Sequence, residues 1–315
     1  MVWLADLVSY VIRKILLAIP VILLATLIVF LMLYMTGDPI NALSPPHASA
    51  ELKDALRDKY GLNEPAYVQY GVFLWQLIQG DLGVSVGFAT RDLQVGDLIA
   101  QKLPRTLELM AIGLSISYSI GIPLGIFSAL RHNTLGDRSV MVFTLLAYAM
   151  PSFWLGILFM WLFAVELDLL PLGGTTGGFA SIILPAMTLG IGNAALTTRM
   201  MRSSMLEVIR QDYITQLRSR GLPEKEIIYK HAVKNAILPV ITVIGLDIGW
   251  FVAGSVVVET VFGWPGIGML ITTSISNSDF PVVRGCILVL AMFVIAGNLM
   301  ADVLYAYVDP RVRLG

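Results

Sequence analysis

Asp212–Pro239 reads DYITQLRSRGLPEKEIIYKHAVKNAILP, and eight of these 28 residues are charged. The chain around it is greasy: MTLGIGNAAL (187–196) precedes the segment and VITVIGL (240–246) follows it directly. A charged stretch between two such flanks is an excursion from an apolar body. The nature of that body decides the fold.

Working outward, the whole chain is of the same kind as the flanks. Hydrophobic residues make up 57% of the 315 and charged residues 14%, with a mean hydropathy of +0.78. Soluble domains carry roughly a quarter charged residues, so this composition points to an integral membrane protein. A hydrocarbon core about 30 Å thick needs about 20 apolar residues in a helix. Six runs qualify: Ile15–Tyr34, Leu109–Leu130, Val140–Val165, Ile182–Thr198, Ala236–Val258 and Gly285–Ala301, the last extending to Val308 if Asp302 is tolerated. The first has an apolar core too long for a cleaved signal peptide, and MTGDPI after it offers no small-x-small site, so it reads as a retained span.

Lys and Arg set the orientation. With the amino terminus cytoplasmic, the inner segments hold 14 of the 21 basic residues, and six of the other seven fall in one long outer loop where the bias is weakest. The expectation is an all-α membrane protein with six transmembrane helices and both termini cytoplasmic. It forms one domain over 1–315 with a long outer loop at about 36–106, and the charged excursion lies inside, between spans 4 and 5. In the outer loop, ASAELKDALRDKYGL (48–62) predicts a short helix ended by Gly61, and YVQYGVFLWQLIQGDLG (67–83) a second ended near Gly80.

The excursion itself predicts a helix from about Arg199 to Arg220, a left-handed corner at Gly221, and a second helix with Pro223, Glu224 and Glu226 in its first turn. Glu226 and Lys230 stand at i,i+4. A glycine turn between basic helices resembles a DNA-binding helix-turn-helix, but tethering to two spans leaves little room for groove insertion, and a net charge of −1 gives no reason to expect nucleic acid. A solvated connector and a docking element for a cytosolic protein are the other two readings.

Catalytic chemistry is scarce. No G-x-x-x-x-G-K-[ST] loop is present, so the chain has no phosphate cradle of its own. His47, His132 and His231 are scattered without metal-ligand spacing. Gly83–Gly87 spells G-x-S-x-G around Ser85, but the pattern follows an amphipathic helix rather than a strand, so a turn is the better reading than a hydrolase elbow. The single cysteine, Cys286, excludes an intrachain disulfide.

The excursion resembles the cytoplasmic "EAA" loop of ABC-importer permeases, with Thr215, Gln216 and Leu217 at the three motif positions, Gly221 as the glycine and Ala236-Ile-Leu-Pro239 as the ending. QDY…RGL…KHAVKNAILPVIT is similar to the version found in dipeptide/oligopeptide/nickel permeases. So are DKYGLNEPAYVQY, GDLGVSV, PRTLELM, GIPLG, PSFWLGILF, VVVETVFGWPGIGML and DVLYAYVDPRVR, which together run nearly the whole chain. The long first outer loop matches the dipeptide-permease B-type subunit. The resemblance implies a non-catalytic permease in the cell inner membrane, surrounded by lipid and carrying dipeptides or oligopeptides. Nickel chelates and short oligosaccharides are alternatives within the family, and a self-contained secondary transporter is one outside it. It implies a homologous second permease, two cytoplasmic ATPase subunits that bind ATP and Mg, an extracytoplasmic substrate-binding protein, and no cofactor on this chain. The coupling residues are then Asp212, Thr215, Gln216, Leu217, Arg218, Arg220, Gly221, Leu222 and Glu224, with Leu217 and Leu222 as apolar anchors on the ATPase.

Pathway candidates come from polarity inside spans. Asp247 is twelfth of the 23 residues of its run, where a carboxylate costs about 2.5–3.5 kcal/mol and must face the bundle interior or water. Ser115, Ser119 and Asn193 join it as candidates. Gly113, Ser115, Ser117, Ser119, Gly121 and Gly125 read first as close-packing positions, Asn193 and Asn298 as interhelical hydrogen-bonders, and Glu108 and Glu259 as carboxylates reaching water at span ends.

Overall fold

A computed structural model of the protein describes residues 2–36, 49–59, 63–87 and 90–308. Among these the architecture is helical, with one isolated bridge, Val84 to Gln94, and no strand. In chain order the helices are α1 (Val2–Thr36), α2 (Ala50–Lys59), α3 (Ala66–Ile78), α4 (Val95–Leu130), α5 (Leu135–Ala149), α6 (Ser152–Phe159, continued by a π-helical turn Met160–Glu166), α7 (Ala180–Ile209) and α8 (Asp212–Ser219). There follow α9 (Glu224–Glu226), which runs through a π-helical stretch Ile227–Ala232 into α10 (Val233–Ala236), then α11 (Leu238–Phe262), α12 (Ile267–Ser276) and α13 (Phe280–Val308). His47, Gly61, Arg311 and Arg313 lie outside the described residues.

Among the described residues five helices are long and apolar enough to cross a membrane: α1, α4, α7, α11 and α13. The sixth expected span, Val140–Val165, is not one rod. It is α5 and α6, bent by 108° at Met150–Pro151, and the count reaches six only if that pair is a single broken span. Proline is the cause. Met150 is driven to extended backbone (φ −80, ψ 129), as residues before proline are, and Pro151 then serves as N-cap of α6. Apolarity alone does not register such a break.

By internal contacts the chain forms two compact units, one of Met1–Val8, Leu107–Trp264 and Ala296–Gly315, the other of Ser9–Thr106 and Pro265–Ile295. In the first, α7 is the hub: 67% of its most apolar window is buried, against 33% for that of α11. The glycines of α4 explain how closely α7 approaches it. A Cβ on Gly121 would stand 2.7 Å from the Thr197 Cβ, and one on Gly125 2.6 Å from the Met201 Cβ. Their role is packing, the use expected of small residues in membrane helices.

In the second unit, Val95, Ile99, Ile267, Val282 and Cys286 form one buried cluster. Ser85 lies there too, 1% exposed. It donates to Asp279 Oδ2 at 2.5 Å and meets the Thr90 hydroxyl at 2.6 Å, while Asp279 also accepts from the Val86 N–H. The serine ties a loop to the start of α13, and Gly83 supplies its left-handed corner (φ 86). The G-x-S-x-G pattern is a turn. Helices α2 and α3 fall where 48–62 and 67–83 predict helices, with Gly80 at φ 76 just past the second.

Candidate functional site

Two regions of the first unit hold the candidate side chains: the excursion after α7, and a polar cluster among α4, α7 and α11.

The expected helix Arg199–Arg220 divides in two. Helix α7 stops at Ile209, Gln211 is extended (φ −74, ψ 149), and α8 starts at Asp212. The break swings Ile214 inward, where it is 0% exposed beside Met205, Val208, Ile227, Ala232 and Ala236. Burying an isoleucine is worth about 1.5–3 kcal/mol, more than the end-turn hydrogen bonds lost by breaking the helix. The Asn235 amide reaches back to the Tyr213 hydroxyl at 2.8 Å.

Helix α8 ends in a Schellman motif. The Leu222 N–H donates to the Leu217 carbonyl at 3.3 Å and the Gly221 N–H to that of Arg218 at 3.0 Å, with Gly221 left-handed at φ 78. Leu217 and Leu222 supply the apolar contact of that motif, both packed on the chain's own core. Each also keeps part of its surface exposed. The face that α8 turns outward is polar: Asp212, Thr215, Gln216 and Ser219 are exposed.

Charge at the rim is largely paired within the loop. Arg218 grips Glu224 through Nη2–Oε1 at 2.6 Å and Nε–Oε2 at 3.1 Å, and Lys230 meets Glu226 at 2.8 Å. The Arg218 guanidinium holds the Glu224 carboxyl below the usual carboxylate range, and Glu224 pushes Arg218 up in return. Both side chains are about half exposed, so the pair contributes only some tenths of a kcal/mol. Arg220 is exposed.

A stronger ion pair braces the same end of the bundle. Asp137, 3% exposed at the start of α5, accepts from Arg202 Nε at 2.7 Å and Nη2 at 2.8 Å, from the Ser128 hydroxyl at 2.5 Å and from the Asn133 N–H at 2.9 Å. It joins α4, α5 and α7 about two turns before the end of α7. The sequence reading missed it because no local pattern links residues 65 apart.

The second region centres on Asp247, 6% exposed. The Tyr118 hydroxyl donates to Asp247 Oδ2, and Asn193 Nδ2 donates to the same oxygen at 2.9 Å and to the Ser117 hydroxyl at 3.1 Å. Hydrogen bonds to a charged group contribute about 1.5–3 kcal/mol each, so two of them offset the cost of a carboxylate at that depth. The structure thus joins Asp247 and Asn193 and adds Tyr118 and Ser117. Ser115 and Ser119 are not part of the cluster: both are exposed on another face of α4, and Ser115 donates to the Ala111 carbonyl at 2.8 Å. Glu259 is 0% exposed rather than water-reaching, and Asn298 is exposed.

Beside the cluster is a pocket of about 510 Å³ between the bent α5–α6 corner, α7 and α11. Tyr148, Pro151, Leu155, Leu189, Trp250 and Phe251 supply apolar walls, and Gly192 and Asn193 line it from α7. Arg199 stacks over Tyr148, 4.6 Å from the ring centroid.

The family described as "Binding-protein-dependent transport system inner membrane component" matches residues 121–314, which include the excursion and, of the polar cluster, Asn193 and Asp247. The chain belongs to that family. It is a non-catalytic inner-membrane permease component of an ABC importer. It is 38% identical over 315 residues to the oligopeptide transport system permease protein AppB of Bacillus subtilis (strain 168), covering 97% of this chain and 99% of that one. It is 37% identical to the dipeptide transport system permease protein DppB of Alkalihalophilus pseudofirmus and 36% to the glutathione transport system permease protein GsiC of Escherichia coli (strain K12), with the same coverages. In fold it is similar to a chain in inward-facing structures of the MetNI methionine ABC transporter, with a TM-score of 0.57 at 17% identity over 67% of this chain and 96% of that one.

Proposed function

We propose that this permease carries dipeptides or oligopeptides, and that α8 is the element through which ATPase subunits drive it. The chain forms one permease domain over 1–315 with an outer loop at about 36–106, and both termini and α8 face the cytoplasm. It pairs with a homologous second permease and two ATPase subunits that hold ATP and Mg, and an extracytoplasmic binding protein delivers the substrate. Closure of the ATPase pair biases a two-state switch between outward- and inward-open cavities, and Asp247 and Asn193 lie on the pathway side of this subunit. The peptide cargo is supported by the names of the full-length relatives, one of which specifies a tripeptide.

The observation that carries the coupling role is α8 itself. Its inner face is held by Ile214, Leu217 and Leu222 on the chain's own core, while Asp212, Thr215, Gln216 and Ser219 stay uncovered. A solvated connector has no need of a buried isoleucine and a Schellman turn to hold eight residues rigid. A force-bearing contact does.

The test is uptake by the complete importer in proteoliposomes. Dipeptide entry should require ATP and the binding protein, and should survive collapse of the proton gradient by an ionophore. Uptake that follows the proton gradient without the ATPases would instead make the protein a secondary transporter.

A further inference from the structure

The orientation of one amide has a consequence for the pocket. Asp247, as a carboxylate, only accepts hydrogen bonds, so the Asn193 side chain must turn its NH₂ toward it. Both amide hydrogens are then committed, one to Asp247 at 2.9 Å and one to the Ser117 hydroxyl at 3.1 Å. What remains of the side chain is its carbonyl oxygen, and Asn193 lines the pocket. With both amide hydrogens held by Asp247 and Ser117, the carbonyl oxygen is what the Asn193 side chain has left to offer a ligand in the pocket it lines.

We propose that the pocket between the α5–α6 corner, α7 and α11 is a substrate subsite that takes an apolar group carrying an N–H donor, with the Asn193 carbonyl oxygen as the acceptor. The assignment rests on the peptide-importer reading and deepens it. A short peptide offers this combination, an amide or ammonium N–H one carbon from an apolar side chain. Its volume suits one large side chain with its backbone group, since Leu and Phe side chains fill well under half of the 510 Å³. A lipid acyl chain has no donor and would leave the oxygen unsatisfied. A packed helix of the second permease has its backbone N–H groups already bonded internally. Both are poorer occupants.

Gly192 makes the test clean. It lines the pocket, and a Cβ placed on it meets no heavy atom within 4 Å, so a side chain there starts without a clash. In proteoliposomes holding the complete importer, Gly192→Leu should lower uptake of Leu-Leu at least tenfold while leaving Gly-Gly within twofold. Separately, in a Cys286→Ala background, alkylation of Gly192→Cys by N-ethylmaleimide should be slowed at least fivefold by n-hexylamine at concentrations where hexanoate has no effect. Equal protection by the two would mark a site that reads only grease, such as a lipid site, and would overturn the proposal. Absence of protection by either, or equal loss of both peptides in Gly192→Leu, would overturn it too. If the wild-type importer takes up no peptide yet hexylamine alone protects Gly192→Cys, the peptide reading fails and the subsite chemistry stands.

Discussion

Replacing Gly221 separates backbone geometry from contact at the driven end of the permease. The residue sits at φ 78, and a Cβ built there has no neighbour within 4 Å, so substitution meets strain but no clash. For a residue with an unbranched Cβ the left-handed conformation costs roughly 1 kcal/mol relative to glycine, about a fivefold shift between the closed turn and its alternatives. A β-branched residue is worse, at roughly 2 kcal/mol or more, or at least thirtyfold. Asparagine tolerates this region. The expected series of ATP-driven uptake is therefore Asn close to glycine, Ala reduced a few-fold, and Val nearly inactive, all with normal membrane insertion. In Val, ATP hydrolysis should no longer respond to the loaded binding protein, because α8 no longer leads into α9 at its fixed angle. The reasoning is refuted if Val transports like glycine. It is also refuted if Asn is as damaging as Val, since that would make the position sensitive to bulk rather than to φ.

Other expectations follow from the same geometry. Arg202→Ala leaves the Asp137 carboxylate buried without its cation and should cost roughly 3–5 kcal/mol, read as a lower thermal denaturation midpoint in detergent, whereas Arg131→Ala, which removes only a contact over the Phe127 ring, should change it little. For orientation, Leu135→Cys, 79% exposed, should react with an impermeant maleimide only after cells are broken, and Tyr67→Cys, 78% exposed, in intact spheroplasts; the reverse pattern would overturn the topology. Glu224 is held below its ordinary range, so its pairing stabilises the folded turn above that range and the contribution is lost as the pH falls through it. Coupled ATPase activity should thus show no step from this pair between pH 6 and 8, and Arg218→Ala should lower it less than twofold; a larger drop would make the rim charge part of the contact.

Much of this architecture was legible because each feature rested on a local rule. Long apolar runs located the spanning helices, Gly221 required a left-handed turn, and Glu226 with Lys230 needed only helical spacing. Asp247 was found by its cost: an acid inside a span has to be answered, and the structure answers it with Tyr118 and Asn193. What hydropathy could not register was direction. Met150–Pro151 bends a run that is apolar on both sides of the break, and Gln211 interrupts a helix so that Ile214 can be buried. Leu217 and Leu222 looked like anchors for a partner because apolar residues in a charged loop invite that reading. In the structure they are partly buried on the chain's own core, and beside them the polar face of α8 is exposed. The Asp137–Arg202 brace joins residues far apart in the chain, a pairing that only the packed bundle reveals.

The central claim is that α8 is the surface on which an ATPase subunit acts, and its most direct measurement is a crosslink. In the assembled importer, Gln216→Cys on the outward face of α8 should crosslink to an ATPase subunit through a short bifunctional maleimide, and Tyr67→Cys should not. Formation of the complex with stimulated ATPase activity but no crosslink from Gln216→Cys would contradict the account.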